Sequence, residues 1–148
     1  MDMGNLPIRA AATVLLQTPA AGAAAGVTVT LTSAQTQAVG DAVQANVSGQ
    51  AALAKADAIA NSSGVFLAAA AVSGSASNTY LVNGLCKISP SPSWTVGGLV
   101  YLSTTGTTTN TLTQTVPAGA NNVIQVLGVA TAADTLYFSP SLVQVEHS

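Results

Sequence analysis

"SAQTQAVGDAVQANVSGQAALAKADAIANSSG" (33–64) is the stretch that sets the fold class, because it is the one long segment with the spacing of a helix. Ser33 is a favoured N-cap type, and Ala34, Ala38, Val39, Ala42 and Val43 follow at i, i+3, i+4 intervals. Gly40 weakens a helix here by about 1 kcal/mol relative to Ala, and Gly49 ends or kinks it. Beyond it, "QAALAKADAIANSSG" (50–64) places Leu53, Ala56 and Ile59 or Ala60 on one side, with Gly64 as a C-terminal stop. The pattern predicts an Ala-rich helical region over about 33–63, as one broken helix or two short ones.

On either side the period is that of strands. Upstream, "VTVTLT" (27–32) alternates strictly, with Val27, Val29 and Leu31 against three threonines. "AATVLLQT" (11–18) reads as a short strand, "PAAGAAAG" (19–26) breaks it, and "MDMGNLPIR" (1–9) has the Gly and Pro of an extended arm. Downstream, strands are predicted at 65–72, 79–88, 94–103, 111–115, 123–131, 135–138 and 141–146, with Gly84 a candidate bulge. The expected architecture is therefore α+β. Residues 1–26 form an extended arm with a possible short strand. Residues 27–148 form a single domain whose β-rich module, about 65–148, is a small antiparallel barrel or sandwich. No sustained internal repeat is present.

Composition restricts the chemistry. Charged residues make up 5% of the 148 residues, against about 25% in a typical domain. Arg9, Lys55 and Lys87 are the only strong cations, too few and too scattered to neutralise a phosphate backbone, which argues against nucleic acid. The uncharged segment 10–31 is interrupted by Pro19, Gly22 and Gly26 and is Ala-dominated, unlike a membrane span, and Asp2 and Arg9 do not make a basic leader. Cys86 is single, so it forms no internal disulfide and reads as a small buried hydrophobe. His147 is the only histidine and lies next to the last residue; Asp41, Asp57, Asp134 and Glu146 are scattered. Neither a nucleophile elbow, a phosphate loop nor a metal-ligand cluster is evident, so the sequence predicts no enzyme, no cofactor and no metal. A core made largely of Ala and Val must pack backbones closely, and a surface with so little charge favours association.

Two aromatics, Trp94 and Tyr101, bracket the Gly97–Gly98 pair. They read as core or interface aromatics packed on small residues; a sugar-stacking platform is the sharper alternative. The threonines of "TTGTTTNTLTQT" (104–115) are too irregular for an ice-matching row.

The run "GGLVYLSTTGTTTNTLTQTVPAGANNVIQVLGVATAADTLYFSPSLVQVEHS" (97–148) resembles a C-terminal module of tailed-bacteriophage virion proteins. There a G-x-VYLS strand leads to a Thr/Gly turn, followed by LTQT-x-P-x-G, VIQV-x-GVA and LYF-x-PS segments. "ALAKADAIANSSGVFLAAAAVSG" (52–74) is similar to the helix and strand that often precede it. The resemblance implies a capsid decoration, or cement, protein: a homotrimer on the outer capsid surface that braces neighbouring major capsid proteins. On that reading Leu6, Pro7, Ile8 and Arg9 of the arm contact a neighbour. Head-fibre and tail-fibre anchors carry similar modules and are the alternative, with a carbohydrate-binding module centred on Trp94 and Tyr101 as the second.

Overall fold

The computed structural model describes residues 17–63 and 66–148. The arm residues Leu6, Pro7, Ile8 and Arg9, and nearly all of the strand expected over 11–18, lie outside the described residues.

The expected α+β fold is not what forms. Among the described residues the chain is nearly all β, and its one helical element is a single 3-10 turn, Ile59–Asn61. The strands are β1 (Ala23–Thr32), β2 (Ala42–Ala45), β3 (Ala51–Leu53), β4 (Phe66–Ala68), β5 (Ser77–Lys87), β6 (Leu99–Leu102), β7 (Leu112–Thr113), β8 (Val123–Ile124), β9 (Val126–Ala132), β10 (Thr135–Phe138) and β11 (Val145–Glu146).

The helical expectation over 33–63 fails for local and tertiary reasons. Ser33 does not cap; its Oγ and the main chain of Gln35 close a tight turn. Gly40 and Gly49 sit at φ +86° and +72°, positions that reverse the chain and that no helix contains. Asn46 Oδ1 accepts the amides of Ser48 and Gln50, both at 2.9 Å, building a side-chain-stabilised turn that makes a hairpin of β2 and β3. Adjacent residues Ala42 and Val43 are then both fully buried, on opposite faces of a strand. Helix propensity is a weak preference even in so Ala-rich a stretch once Gly40, Gly49 and the β-branched valines interrupt it, and strand pairing overrides it.

All pairings between named strands are antiparallel. β5 is the spine. One of its edges carries β1 along its whole length, from Ser77 to Lys87. The other is divided: β4 pairs at Tyr80 and Leu81, β10 from Gly84 to Lys87. Two limbs leave this fork, β4–β2–β3 and β10–β9–β6–β7, and the sheet curls into a half-barrel. The limbs meet again where the amide of Ala56, just past β3, donates to Ser103 O at 2.9 Å and Val123 N donates to Ala56 O at 3.0 Å.

The core follows from strand alternation. Ala42, Leu67 and Leu81 face into the half-barrel with Cys86, Trp94, Val100, Leu102, Leu127, Leu136 and Phe138. Their sequence neighbours Val43, Ala68 and Tyr80 face the other way, into a second cluster with Ala51, Val29 and Leu31. Burial pushes the Cys86 thiol up to about 12, so it stays protonated. In the second cluster Tyr80 Oη donates to Gln37 Oε1 and Gln37 Nε2 donates to Ala51 O, each at 2.7 Å, which satisfies a buried polar pair.

Of the later strands expected, "TLYF" is β10 and the run 79–88 lies almost entirely within β5, whereas 65–72, 111–115 and 141–146 shrink to Phe66–Ala68, Leu112–Thr113 and Val145–Glu146. The expected strand 123–131 is broken at Gln125 into β8 and β9, whose side chain turns aside to bond Ser141 O at 2.8 Å. β1 begins at Ala23, inside the expected break at 19–26, because Gly26 and Gly84 face each other across β1 and β5. Both have positive φ, and a Cβ on either would overlap a carbonyl oxygen of the opposite strand. The bulge itself falls at Val82, which has no register partner on β1.

Gly84→Ala is expected to cost about 2–5 kcal/mol, from about 1–3 kcal/mol of backbone strain plus a similar overpacking term. Gly49→Ala, at a positive φ but with open space around it, costs only about 1–2 kcal/mol. Urea unfolding of the two variants side by side measures the difference.

Candidate functional site

A cleft of about 530 Å³ lies between the limbs. Its rim is the loop Ile88–Ser93 and its far wall the segment Thr109–Gln114, with Ala38–Asp41 and Trp94 completing the lining. Trp94 is held by its amide on Ala133 O at 2.9 Å and is 8% exposed, so it offers the cleft little surface.

Among the described residues Asp41 is the only ionisable side chain lining this cleft, and it is buried. Its Oδ2 accepts the Ala38 amide at 2.8 Å; its Oδ1 accepts the Thr109 amide at 2.8 Å and the Thr111 hydroxyl at 3.4 Å. Thr111 Oγ1 in turn accepts the amide of Ala42 at 2.8 Å. Asp41 O also receives Ala68 N at 2.8 Å. One residue thus bonds β4 through its main chain and the segment before β7 through its side chain. Burial raises the Asp41 pKa, and the three donors oppose that rise. Thr109 has φ +69°, a conformation uncommon for a β-branched residue, and the Asp41 bond holds it there.

The Thr/Gly turn 104–110 docks on its own chain. Thr108 Oγ1 donates to Thr36 O at 3.1 Å, and Gly106 packs against the stem of Lys55 so closely that a Cβ would collide with it. Gly98 has a matching role: Gln114 Oε1 and Nε2 bracket the Thr95 main chain at 2.8 and 2.9 Å, in the space a Cβ on Gly98 would fill.

Trp94 and Tyr101 are not brought onto one exposed face. Trp94 belongs to the core with Val100 and Leu102, while Tyr101, between those two on β6, is half-buried and faces the other side of the strand. His147 is tied by its main chain, its amide on Asn122 O and its carbonyl receiving Asn121 N, both at 2.8 Å, and its side chain is exposed. Two ion pairs occur among the described residues, Lys55–Asp57 at 2.8 Å and Lys87–Asp134 at 3.5 Å. Asp57 is lowered by hydrogen bonds from Lys55 and Asn61, Asp134 by the Thr135 hydroxyl and then by Lys87. Among the described residues no group of three or more His, Cys, Asp or Glu is placed to hold a metal ion. The arrangement at Asp41 clamps backbone; with both oxygens engaged it presents no free base to the cleft.

The surface carries a second feature that sequence reasoning passed over. Leu142 and Val143 are 82% and 73% exposed and Val145 56%. Gln144, between them, turns inward to bond Ser62, its Nε2 on Ser62 O at 2.6 Å. That contact ties the Leu142–Val145 segment to Ser62, whose Oγ donates to Ile59 O at 3.1 Å, and the Ile59 side chain is exposed as well. No family model, no curated protein and no solved structure matches this chain.

Asp41→Asn puts an amide nitrogen where one of three donors now finds an oxygen, and is expected to cost about 1–3 kcal/mol at neutral pH. Because the folded Asp41 pKa lies above its unfolded value, the folded state holds that proton longer. The stability margin of wild type over Asp41→Asn therefore falls as pH rises from about 4 through the folded pKa, then levels off. Asp57 and Asp134 have the opposite sign, losing stability as pH falls below about 4, and they cancel in the difference. Urea titrations of both proteins across that range measure it.

Proposed function

We propose that this chain is a structural virion protein that decorates a tailed-phage capsid and braces major capsid proteins from the outer surface, acting as a self-associated body, a homotrimer. The observation that carries the reading is the exposed apolar strip Leu142, Val143 and Val145, tied through Ser62 to the turn of exposed Ile59. Three exposed apolar side chains within four residues, tied to a turn with a fourth, are the kind of surface a partner covers. Here they sit on a body with very little charge, which neither steers a charged ligand nor keeps copies apart.

Two further features support it. The segments that resemble phage virion modules fall together on β6, β7, β8, β9 and β10, that is, mostly on one limb. A rigid, clamped half-barrel is also suited to a bracing role: each contact can be modest, because many copies engaging several subunits at once gain avidity. A fibre or tail anchor is the competing assignment, and location on the particle separates the two.

The purified protein is expected to be oligomeric by light scattering and to co-sediment with expanded empty heads of the encoding phage. Leu142→Glu with Val143→Glu weakens co-sedimentation more than about tenfold, since burying each such side chain is worth about 1.5–3 kcal/mol, and leaves the melting temperature within a few degrees of wild type. Immunogold label spread over the head supports decoration; label confined to the tail, or a monomer that ignores expanded heads, overturns it.

A further inference from the structure

We infer that the outer edge of β1 is an interface, and that its occupant is the β1 strand of a second copy of this chain, paired antiparallel about a two-fold axis through Thr30. Among the described residues β1 hydrogen-bonds as a strand only to β5, so one edge of a ten-residue strand is left open. Open edges are ordinarily protected by charge, proline, a bulge or shortness. From Val27 to Thr32 this strand has none of the first three: the sequence is VTVTLT, the nearest charged residues are Arg9 and Asp41, and the bulged residue of the β1–β5 ladder, Val82, belongs to β5.

The strand is also complementary to itself. Val29 and Leu31 pack toward the second core cluster, and Thr28, Thr30 and Thr32 are exposed. An antiparallel pairing centred on Thr30 sets Thr30 opposite Thr30, Thr28 opposite Thr32 and Val29 opposite Leu31. Over residues 28–32 every threonine then meets a threonine on the outer face, and Val29 and Leu31 meet on the inner one; Val27 falls opposite Ser33. Cross-strand Thr–Thr and β-branched pairs are among the favourable ones, and no like charges oppose each other. A shift of the register by one residue sets threonine against aliphatic and loses the match. The contact is two-fold, so it joins two bodies, or two trimers, rather than building a trimer itself.

This deepens the reading of the chain as a self-associating shell protein and rests on it for its setting. The test is a concentration series by size exclusion with light scattering on the full chain, on Thr30→Lys, on Thr30→Glu and on their equimolar mixture. Thr30 is exposed, so neither variant disturbs the core; equal melting temperatures check this. The expected result is loss of the two-fold step in each single variant, through two like charges placed face to face, and its return in the mixture. Unchanged association in both variants overturns the inference. So does failure of the mixture to recover, or a wild type that pairs only after residues 1–16 are deleted, which would make the chain's own N-terminal segment the occupant. Co-sedimentation of Thr30→Lys with expanded heads reports the decoration reading separately. Binding there with pairing lost leaves both standing, and wild type that pairs yet ignores heads removes decoration alone.

Discussion

The joint at Asp41 is the constraint on which the rest of the fold depends. A sheet that forks at β5 has no intrinsic reason to bring its two limbs back together, and each limb alone is a narrow, half-covered ribbon. Asp41 closes the gap with a buried carboxylate that collects the amides of Ala38 and Thr109 and the Thr111 hydroxyl, while Thr111 receives Ala42. Burying a charge is costly unless it is hydrogen-bonded, and the rise of its pKa shows desolvation outweighing the three donors. What offsets the cost is geometric: one group fixes the entry to β2, the left-handed Thr109 and the approach to β7. The core between the limbs, from Leu67 and Leu81 to Leu102 and Leu136, is closed by this joint together with the Ala56–Ser103 bond.

The second constraint is backbone proximity, and here the sequence was readable in part. A core poor in aromatics and rich in alanine demands close backbones, and the structure meets that demand at Gly26 against Gly84 and at Gly128, where a Cβ would overlap Tyr137 O. Periodicity located the later strands because those strands are amphipathic. It failed over 33–63 because alanine fits either period. Ala42 and Ala56 are fully buried in the sheet structure, yet each also falls on a helical stripe, Ala42 with Ala38 and Val39, Ala56 with Leu53 and Ala60. The signals that favoured strands were Gly40, the "NVSG" turn at 46–49 and the β-branched Val39, Val43 and Val47. Each is weak alone. Their sum became decisive only through pairing with β4, a partner distant in sequence.

The candidate site was less legible than the fold. Asp41 was visible as one of five acidic residues, but its partners Thr109 and Thr111 lie far along the chain, in a Thr/Gly turn that looked like a solvent loop. Nothing in local sequence says that such a turn docks inward. Trp94 and Tyr101 are neighbours of a glycine pair in sequence, but Trp94 packs in the core while Tyr101, between the buried Val100 and Leu102, faces the other side of β6. The apolar strip at Leu142–Val145 was read as an ordinary strand. Only the inward turn of Gln144 onto Ser62 leaves its hydrophobes outside.

These surfaces bear on why so little charge is tolerated. A monomeric domain with few charges risks precipitation, because nothing opposes the encounter of apolar patches. In an ordered assembly the same lack of charge is useful. Every copy carries the same field, so charge near an interface between copies is set against itself unless its position is exact. A neutral, threonine-faced edge avoids that repulsion at any approach. Specificity must then come from shape and register, and that requires a body rigid enough to present a fixed register. The buried Asp41 clamp and the glycine crossing supply the rigidity. On the proposed assembly, the scarcity of charge outside and the buried carboxylate of Asp41 inside belong to the same solution.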